Sequence, residues 1–227
     1  MRKLLVLRPE PGASETAAKA ARLGIEAVVA PLFTVRPIAW DVPGEADAIL
    51  LTSANAARHL GAGLGPLVEN PCYVTGEATA AAARKAGFAE VRAGSTDGAA
   101  ALELAREDGH RRVLHLCGRD HIALPDVERR IVYAADAVSA LPSAARGALA
   151  EGAIALLHSP RAAAVFRDLV GEPADIAIAA LSPAVAEAAG EGWAEIAVAP
   201  QPRDEALLEV AAKLCQTAAS SNAEAGR

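Results

Sequence analysis

Gly87-Phe88-Ala89-Glu90-Val91 returns as Gly192-Trp193-Ala194-Glu195-Ile196, 105 residues further along the chain. Working outward from that pair, Leu50-Leu51-Thr52-Ser53 returns as Leu156-Leu157-His158-Ser159 at a spacing of 106. Ala101-Leu102-Glu103-Leu104-Ala105 is echoed by Leu207-Leu208-Glu209-Val210-Ala211 at the same spacing. Three echoes in register mark an internal duplication. The period is too long for a solenoid repeat and suits a small domain, so the chain reads as two similar α/β units with a ligand cleft between them.

Apolar runs of strand length alternate with Ala-rich helical stretches. Lys3–Arg8, Asp47–Thr52, Cys72–Thr75, Arg112–Leu116, Ala153–His158 and Ile176–Leu181 read as strands. Ser14–Leu23, Glu77–Lys85, Ala99–Arg106, Ala162–Leu169 and Asp204–Gln216 read as helices. The runs are continuous and do not alternate with polar residues, which is the pattern of parallel strands buried on both faces and flanked by helices. The fold class expected is therefore α/β, with two parallel sheets. Residues 216–227 are small and polar and read as a frayed tail.

Composition excludes several functions. The chain of 227 residues is 52% hydrophobic and 22% charged, as a globular protein should be. A net charge of −6 with 3% aromatic residues argues against nucleic acid, because phosphate tracking needs a basic face and base stacking needs aromatic platforms. No apolar run approaches the length of a membrane span or a signal-peptide core, so a cytoplasmic protein with no membrane partner is expected. Cys72, Cys117 and Cys215 are odd in number and widely spaced, which fits reduced thiols.

Chemistry is expected where strands hand over to helices. Ser159-Pro160 and Ser182-Pro183 each follow an apolar strand, with Ser suited to the N-cap and Pro to the first helical position. Ser53 and Thr75-Gly76 occupy the corresponding junctions of the first half. In parallel sheets such junctions share one edge, so helix N-termini would face one region and favour an anion there. Ordinary helix capping accounts for any one of them equally well.

These residues resemble the uroporphyrinogen-III synthase family. The resemblance runs from Lys3 to about Leu214 through Leu5–Pro9, Leu50–Ala56, Tyr73–Ala80, Leu114–Arg119, Leu156–Ala162 and Ala180–Pro183, in family order and spacing. It implies one discontinuous domain of residues 1–36 plus 143–227 and a second of residues 40–136. Linker strands 35–39 and 137–142 would join them, with Pro37, Pro43 and Pro142 at positions where proline is tolerated. It also implies the reaction: cyclisation of hydroxymethylbilane, a linear tetrapyrrole, with inversion of ring D and loss of water, by a monomer that uses no cofactor and no metal. The task would be positioning plus electrostatic stabilisation of an azafulvene cation.

Carried over residue by residue, the resemblance implies substrate binding by Arg8, Ser53, Asn55, Gly76, Thr79, Gly118, Arg119, Ser159, Arg161 and Ser182. The family's connector tyrosine, proposed to help the hydroxyl leave, aligns with Ser139, while Tyr133 lies six residues too early. Thr79 and Ser139 are therefore the candidate catalytic residues, with the acid unassigned. His115-x-Cys117-x3-His121 can be drawn as a metal site but has no evident fourth ligand. Gly61-x-Gly63-x-Gly65 follows no strand and reads as a flexible loop, Arg129-Arg130 reads as a solvated helix face, and Trp40 and Trp193 read as packing residues. The rival class is a non-catalytic two-domain binding protein for a small anionic ligand, which fold alone does not separate from the enzyme.

Overall fold

A computed structural model describes residues 2–42, 44–94 and 97–224. In chain order the elements begin with β1 (Leu4–Val6), α1 (Gly12–Arg22), β2 (Ala27–Val29), β3 (Phe33–Pro37), β4 (Ala48–Leu51) and α2 (Ala54–Arg58). A 3-10 turn (Gly61–Leu67) leads into β5 (Cys72–Thr75), α3 (Gly76–Ala86), β6 (Val91–Gly94), α4 (Gly98–Glu107), β7 (Val113–Gly118) and β8 (Glu128–Ala137). The remainder is α5 (Ser143–Ala150), β9 (Ile154–Leu157), α6 (Pro160–Val170), β10 (Ala177–Ala180), α7 (Pro183–Ala189), β11 (Glu195–Val198) and α8 (Asp204–Glu224). They form two compact units, residues 1–34 with 137–227 and residues 35–136.

The discontinuous unit holds a five-stranded sheet ordered β11-β10-β9-β1-β2, with every pair parallel. Leu4, Val6, Ile154, Leu156, Ala177 and Ala179 present one face to α1 and α8, where Leu207, Leu208 and Ala211 are buried. Leu5, Ala155 and Ile178 are buried as well and point to the opposite face by alternation, which is why these strands carry no polar positions. Phe166 of α6 is buried there and stacks on Trp193, their rings 5.5 Å apart and 7° from parallel. The Trp193 indole N–H donates to the Ala189 carbonyl at 3.1 Å, so this tryptophan is a packing residue whose polar tip is satisfied.

The second unit holds a six-stranded sheet ordered β3-β8-β7-β4-β5-β6. From β8 to β6 all neighbours are parallel. Ile49, Leu51, Val74, Leu114 and Leu116 pack under α2 and α3, and Ala48, Leu50, Tyr73 and Val113 pack with Ala101 and Leu102 of α4 on the other face. The duplication is visible in both sheets. The stretch Gly87–Val91 enters β6 and Gly192–Ile196 enters β11, each an edge strand, and each leading glycine has positive φ (110° and 92°), where a Cβ would be strained.

Four expectations are corrected. Glu128–Arg130 opens strand β8 and is not helical; β8 ends at Ala137, so residues 138–142 are not a strand, and the chain bends at Ser139 and Ala140. The charged residues conceal the strand because its first half is exposed, with burial confined to Val132 and Ala134. The triple-glycine segment is an ordered 3-10 turn anchored by buried Leu60 and Leu67, with the Trp40 ring against Gly63. Helix α8 continues past Gln216 to Glu224; residues 225–227 and Pro43 lie outside the described residues.

Replacing Phe166 by Ala removes the buried ring that stacks on Trp193. We expect a loss of roughly 3–5 kcal/mol in stability, read as a lowered urea midpoint with quenched or shifted Trp193 fluorescence; a loss below about 1 kcal/mol would show that the stack is not a core contact.

Candidate functional site

The second unit carries a pocket of about 570 Å³ at the carboxyl ends of its parallel strands. Its place follows from strand order. The chain runs outward from β4 through β5 to β6, then returns by α4 to β7 on the far side of β4, so helices leave on opposite faces and a crevice opens beside the β4/β7 boundary. Thr52 and Ser53 follow β4, Thr75 ends β5, Asp97, Gly98 and Ala99 form the start of α4, Gly118, Asp120, His121, Ile122 and Leu124 come from the end of β7 and its loop, and Tyr133 lies on β8.

Local chemistry explains each placement. Ser53 is extended, and its Oγ accepts from the Asn55 N–H at 3.2 Å to cap α2. Asp97 caps α4 by accepting from the Ala100 N–H at 2.9 Å. Gly98 is required where it stands, because a Cβ there would meet the Thr52 methyl at 2.9 Å. Gly118 is equally constrained, with a Cβ reaching the Tyr133 ring at 2.5 Å. A register shift between Cys117 and Gly118 in the β7/β8 ladder sets that ring, and its hydroxyl donates to Ser53 Oγ at 3.1 Å. Tyr133 is thus the phenol of the pocket. It is not legible in the sequence, because its reach depends on a bulge that no residue pattern announces.

The pocket offers hydroxyl donors from Thr52, Ser53, Thr75 and Tyr133, and the exposed Ile122 side chain (86%) at its rim. Beneath it, His115 is buried, with Nε2 3.0 Å from Thr52 Oγ1. Burial above all, and then the neighbouring His121 and Arg129, pushes the His115 imidazole down to about 4, so it is neutral at pH 7. His121 Nδ1 lies 2.9 Å from the Gly118 carbonyl and 3.2 Å from that of Arg119, both acceptors, so that nitrogen carries the proton. Among the described residues no cluster of three or more metal-ligating side chains occurs, and the His115 and His121 rings stand edge to face with centroids 6.1 Å apart.

Not all of the residues expected in the site meet there. Ser53 and Gly118 line the pocket, and Asn55, in the first turn of α2, accepts from Arg58 at 3.1 Å. Gly76 opens α3 at φ 70°, a conformation that demands glycine. Thr79 is buried one turn inside α3 and does not line the pocket. Arg119 points elsewhere, to Asp136 Oδ1 at 2.5 Å, and Asp136 is also held by Arg36 at 2.7 Å. Ser139 lies past the end of β8 and belongs to the other unit.

Arg8, Ser159, Arg161 and Ser182 belong to the other unit. Ser159 and Ser182 cap α6 and α7, accepting from Ala162 N–H at 3.1 Å and Val185 N–H at 3.4 Å, and Arg161 lies over the Phe33 ring at 4.8 Å. Arg8 lies against Gly12, where a Cβ would meet its guanidinium at 2.7 Å, and stands 3.8 Å from Asp204 Oδ1. Asp204 also accepts from Thr16 at 3.0 Å, His158 at 3.0 Å and Lys19 at 3.1 Å. Burial works against its charge, but those donors prevail and hold the carboxyl well below the usual carboxylate range.

Comparison with known proteins agrees with this architecture. The family model described as uroporphyrinogen-III synthase HemD matches residues 14–209. A uroporphyrinogen-III synthetase structure from Helicobacter pylori aligns at a TM-score of 0.66 with 20% identity, covering 94% of this chain and 100% of its own. A mutant uroporphyrinogen III synthase from Thermus thermophilus aligns at 0.53 with 14% identity, covering 95% and 99%. No curated protein sequence matches significantly. Two mostly parallel sheets flanked by helices, with a pocket at a strand-order reversal in the second unit, define a two-unit α/β protein without a nucleotide fingerprint. The chain belongs to the uroporphyrinogen-III synthase family, lyases of tetrapyrrole biosynthesis.

The neutral state of His115 generates a pH prediction. Its folded pKa lies below the unfolded value near 6.5, so the unfolded chain binds the proton first as pH falls. The stability tied to this group is complete above about pH 6.5 and is lost progressively down to about 4, roughly 3 kcal/mol in all. His158 and His59, both lowered chiefly by burial, lose stability as pH falls through the same range, and the lowered Asp204 adds its own loss only below about pH 4. Urea midpoints should fall between about pH 6.5 and 4.5 in the wild type and fall less in His115→Gln, by the share that His115 contributes; equal slopes would show that His115 does not titrate in this range.

Proposed function

We propose that this chain closes hydroxymethylbilane to uroporphyrinogen III, with inversion of ring D and release of water, and that the pocket beside β4 and β7 is where the hydroxymethyl end reacts. Family membership over residues 14–209 carries the reaction type. The assignment of the acid is supported by Tyr133, whose hydroxyl lies in the pocket 3.1 Å from Ser53 Oγ. As the C–O bond to the hydroxymethyl carbon breaks, the Tyr133 proton passes to the departing oxygen and water leaves. The substituted α-carbon of ring D attacks the cationic methylene carbon to form a spiro intermediate; its bond to the bridge from ring C then breaks, and the free α-carbon of ring D attacks the bridge cation so released, closing the ring in the inverted sense. The proton lost when the last ring regains aromaticity returns to Tyr133, so the enzyme ends unchanged.

Because the unassisted cation closes readily, the protein's contribution is orientation of the chain ends, together with hydroxyl dipoles and the carboxylates of Asp97 and Asp120 near the developing positive charge. Substrate binding by Arg8, Ser53, Asn55, Gly76, Thr79, Gly118, Arg119, Ser159, Arg161 and Ser182 remains part of this proposal, as does the division into residues 1–36 plus 143–227 and 40–136. Arg119 is paired through Nη2 with Asp136 Oδ1 at 2.5 Å. A cytoplasmic monomer that binds no nucleic acid is consistent with the net charge of −6 and with three buried free thiols; no helix among the described residues is long and apolar enough to cross a membrane.

With chelator present and no nucleotide, the purified protein should convert hydroxymethylbilane mainly to the type III isomer by chromatographic analysis. Tyr133→Phe should lower kcat by about 100-fold with KM little changed, the usual contribution of a positioned acid, and Ser53→Ala should cost roughly tenfold or less in kcat/KM. Type I product at the level of an enzyme-free control would refute the cyclase reading, and a Tyr133→Phe enzyme of normal kcat would return the acid to being unassigned.

A further inference from the structure

We propose that buried His115 is a positioning residue, whose Nε2–H fixes the Thr52 hydroxyl so that its O–H proton is offered to the pocket as a donor for a carboxylate of the linear tetrapyrrole. The inference rests on reading the pocket as the substrate site.

Hydrogen-bond accounting decides the tautomer. His115 sits in β7 between β4 and β8 and is 1% exposed, so water does not serve its ring. Its Nε2 meets Thr52 Oγ1 at 3.0 Å, and its Nδ1 is buried with no hydrogen-bond partner. A neutral imidazole carries one N–H. If that proton were on Nδ1, a buried donor would be orphaned and the Thr52 proton would be spent on Nε2. If it is on Nε2, the only loss is an unused lone pair, the cheaper of the two deficits. Thr52 Oγ1 then accepts from His115, and its own proton is left for the pocket that Thr52 lines.

The other unit shows a comparable arrangement at a different position: His158 stands where the repeat places Thr52, and its Nε2 lies 3.0 Å from Asp204 Oδ1, an acceptor only, so there Nε2 carries the proton. Each half thus uses a buried histidine, protonated on Nε2, to fix a polar group at the carboxyl edge of its sheet. Thr52 itself has little room to turn away, because its methyl faces Gly98 at the start of α4. A fixed hydroxyl donor suits a carboxylate oxygen and disfavours a donor such as a pyrrole N–H, so the site would select the rim of the tetrapyrrole by its acidic side chains.

Two-bond nitrogen–proton correlation spectra of the wild-type protein with labelled histidine should place the His115 proton on Nε2; a proton on Nδ1 overturns the proposal, whatever the variants do. In kinetics on hydroxymethylbilane, Thr52→Val and His115→Leu should each raise KM about tenfold with kcat within a few-fold of wild type, as expected for one lost hydrogen bond to a charged group. The double variant should be no worse than Thr52→Val, and His115→Gln, whose amide N–H occupies the Nε2 position, should recover most of the loss. Additive effects of Thr52→Val and His115→Leu, or a His115→Gln enzyme as impaired as His115→Leu, would overturn the relay. Failure of the wild type to form the type III isomer would instead refute the functional reading, leaving the tautomer spectrum to decide the relay.

Discussion

Parallel strand pairing is the constraint from which the rest follows. All strands of one sheet and five consecutive strands of the other run the same way, so each must be followed by a crossover, and every strand-to-helix junction falls on one edge of its sheet. Burial on both faces makes the strands apolar throughout and drives polar residues to the junctions. Ser53, Thr75, Asp97, Ser159 and Ser182 therefore gather at the strand-end edge of their own sheets by topology, before any function is considered. The crevice beside β4 and β7 is the second consequence, because helices depart to opposite faces only where strand order reverses.

That same constraint decides what the residues alone disclose. Leu50-Leu51-Thr52-Ser53 and Leu156-Leu157-His158-Ser159 are legible as strand, edge and cap because continuous burial writes an unbroken apolar run and capping demands a particular residue. β8 is illegible for the converse reason: it lies toward the edge of its sheet, and Glu128, Arg129 and much of its first half face solvent. Tyr133 lies on that strand, and its place beside Ser53 follows from the register shift between Cys117 and Gly118, which no residue pattern announces. Thr79 and Arg119 match the family as letters, yet one is buried inside α3 and the other is held by Asp136.

The electrostatics of the pocket differ from the simple expectation for a polyanionic substrate. Its lining supplies hydroxyls, backbone at the start of α4 and two aspartates, and the arginine expected there is engaged elsewhere. On the proposed reading, a site of that kind recognises carboxylates through fixed dipoles and leaves negative charge near the carbon that becomes cationic, which divides binding from chemistry between different groups. The buried His115 extends this economy of charge: it stays neutral, and its contribution to the pocket is the direction of a single O–H bond.

Binding of the tetrapyrrole in the pocket of the second unit is the claim on which the mechanism stands. Its most direct test is a titration of methyl-labelled protein with uroporphyrinogen III kept reduced, followed by NMR. The rim residue Ile122 and the lining residue Thr52 should show the largest methyl shifts, while buried Ile178 in the other sheet should hardly move. Saturating product that leaves Ile122 and Thr52 unshifted would contradict that claim.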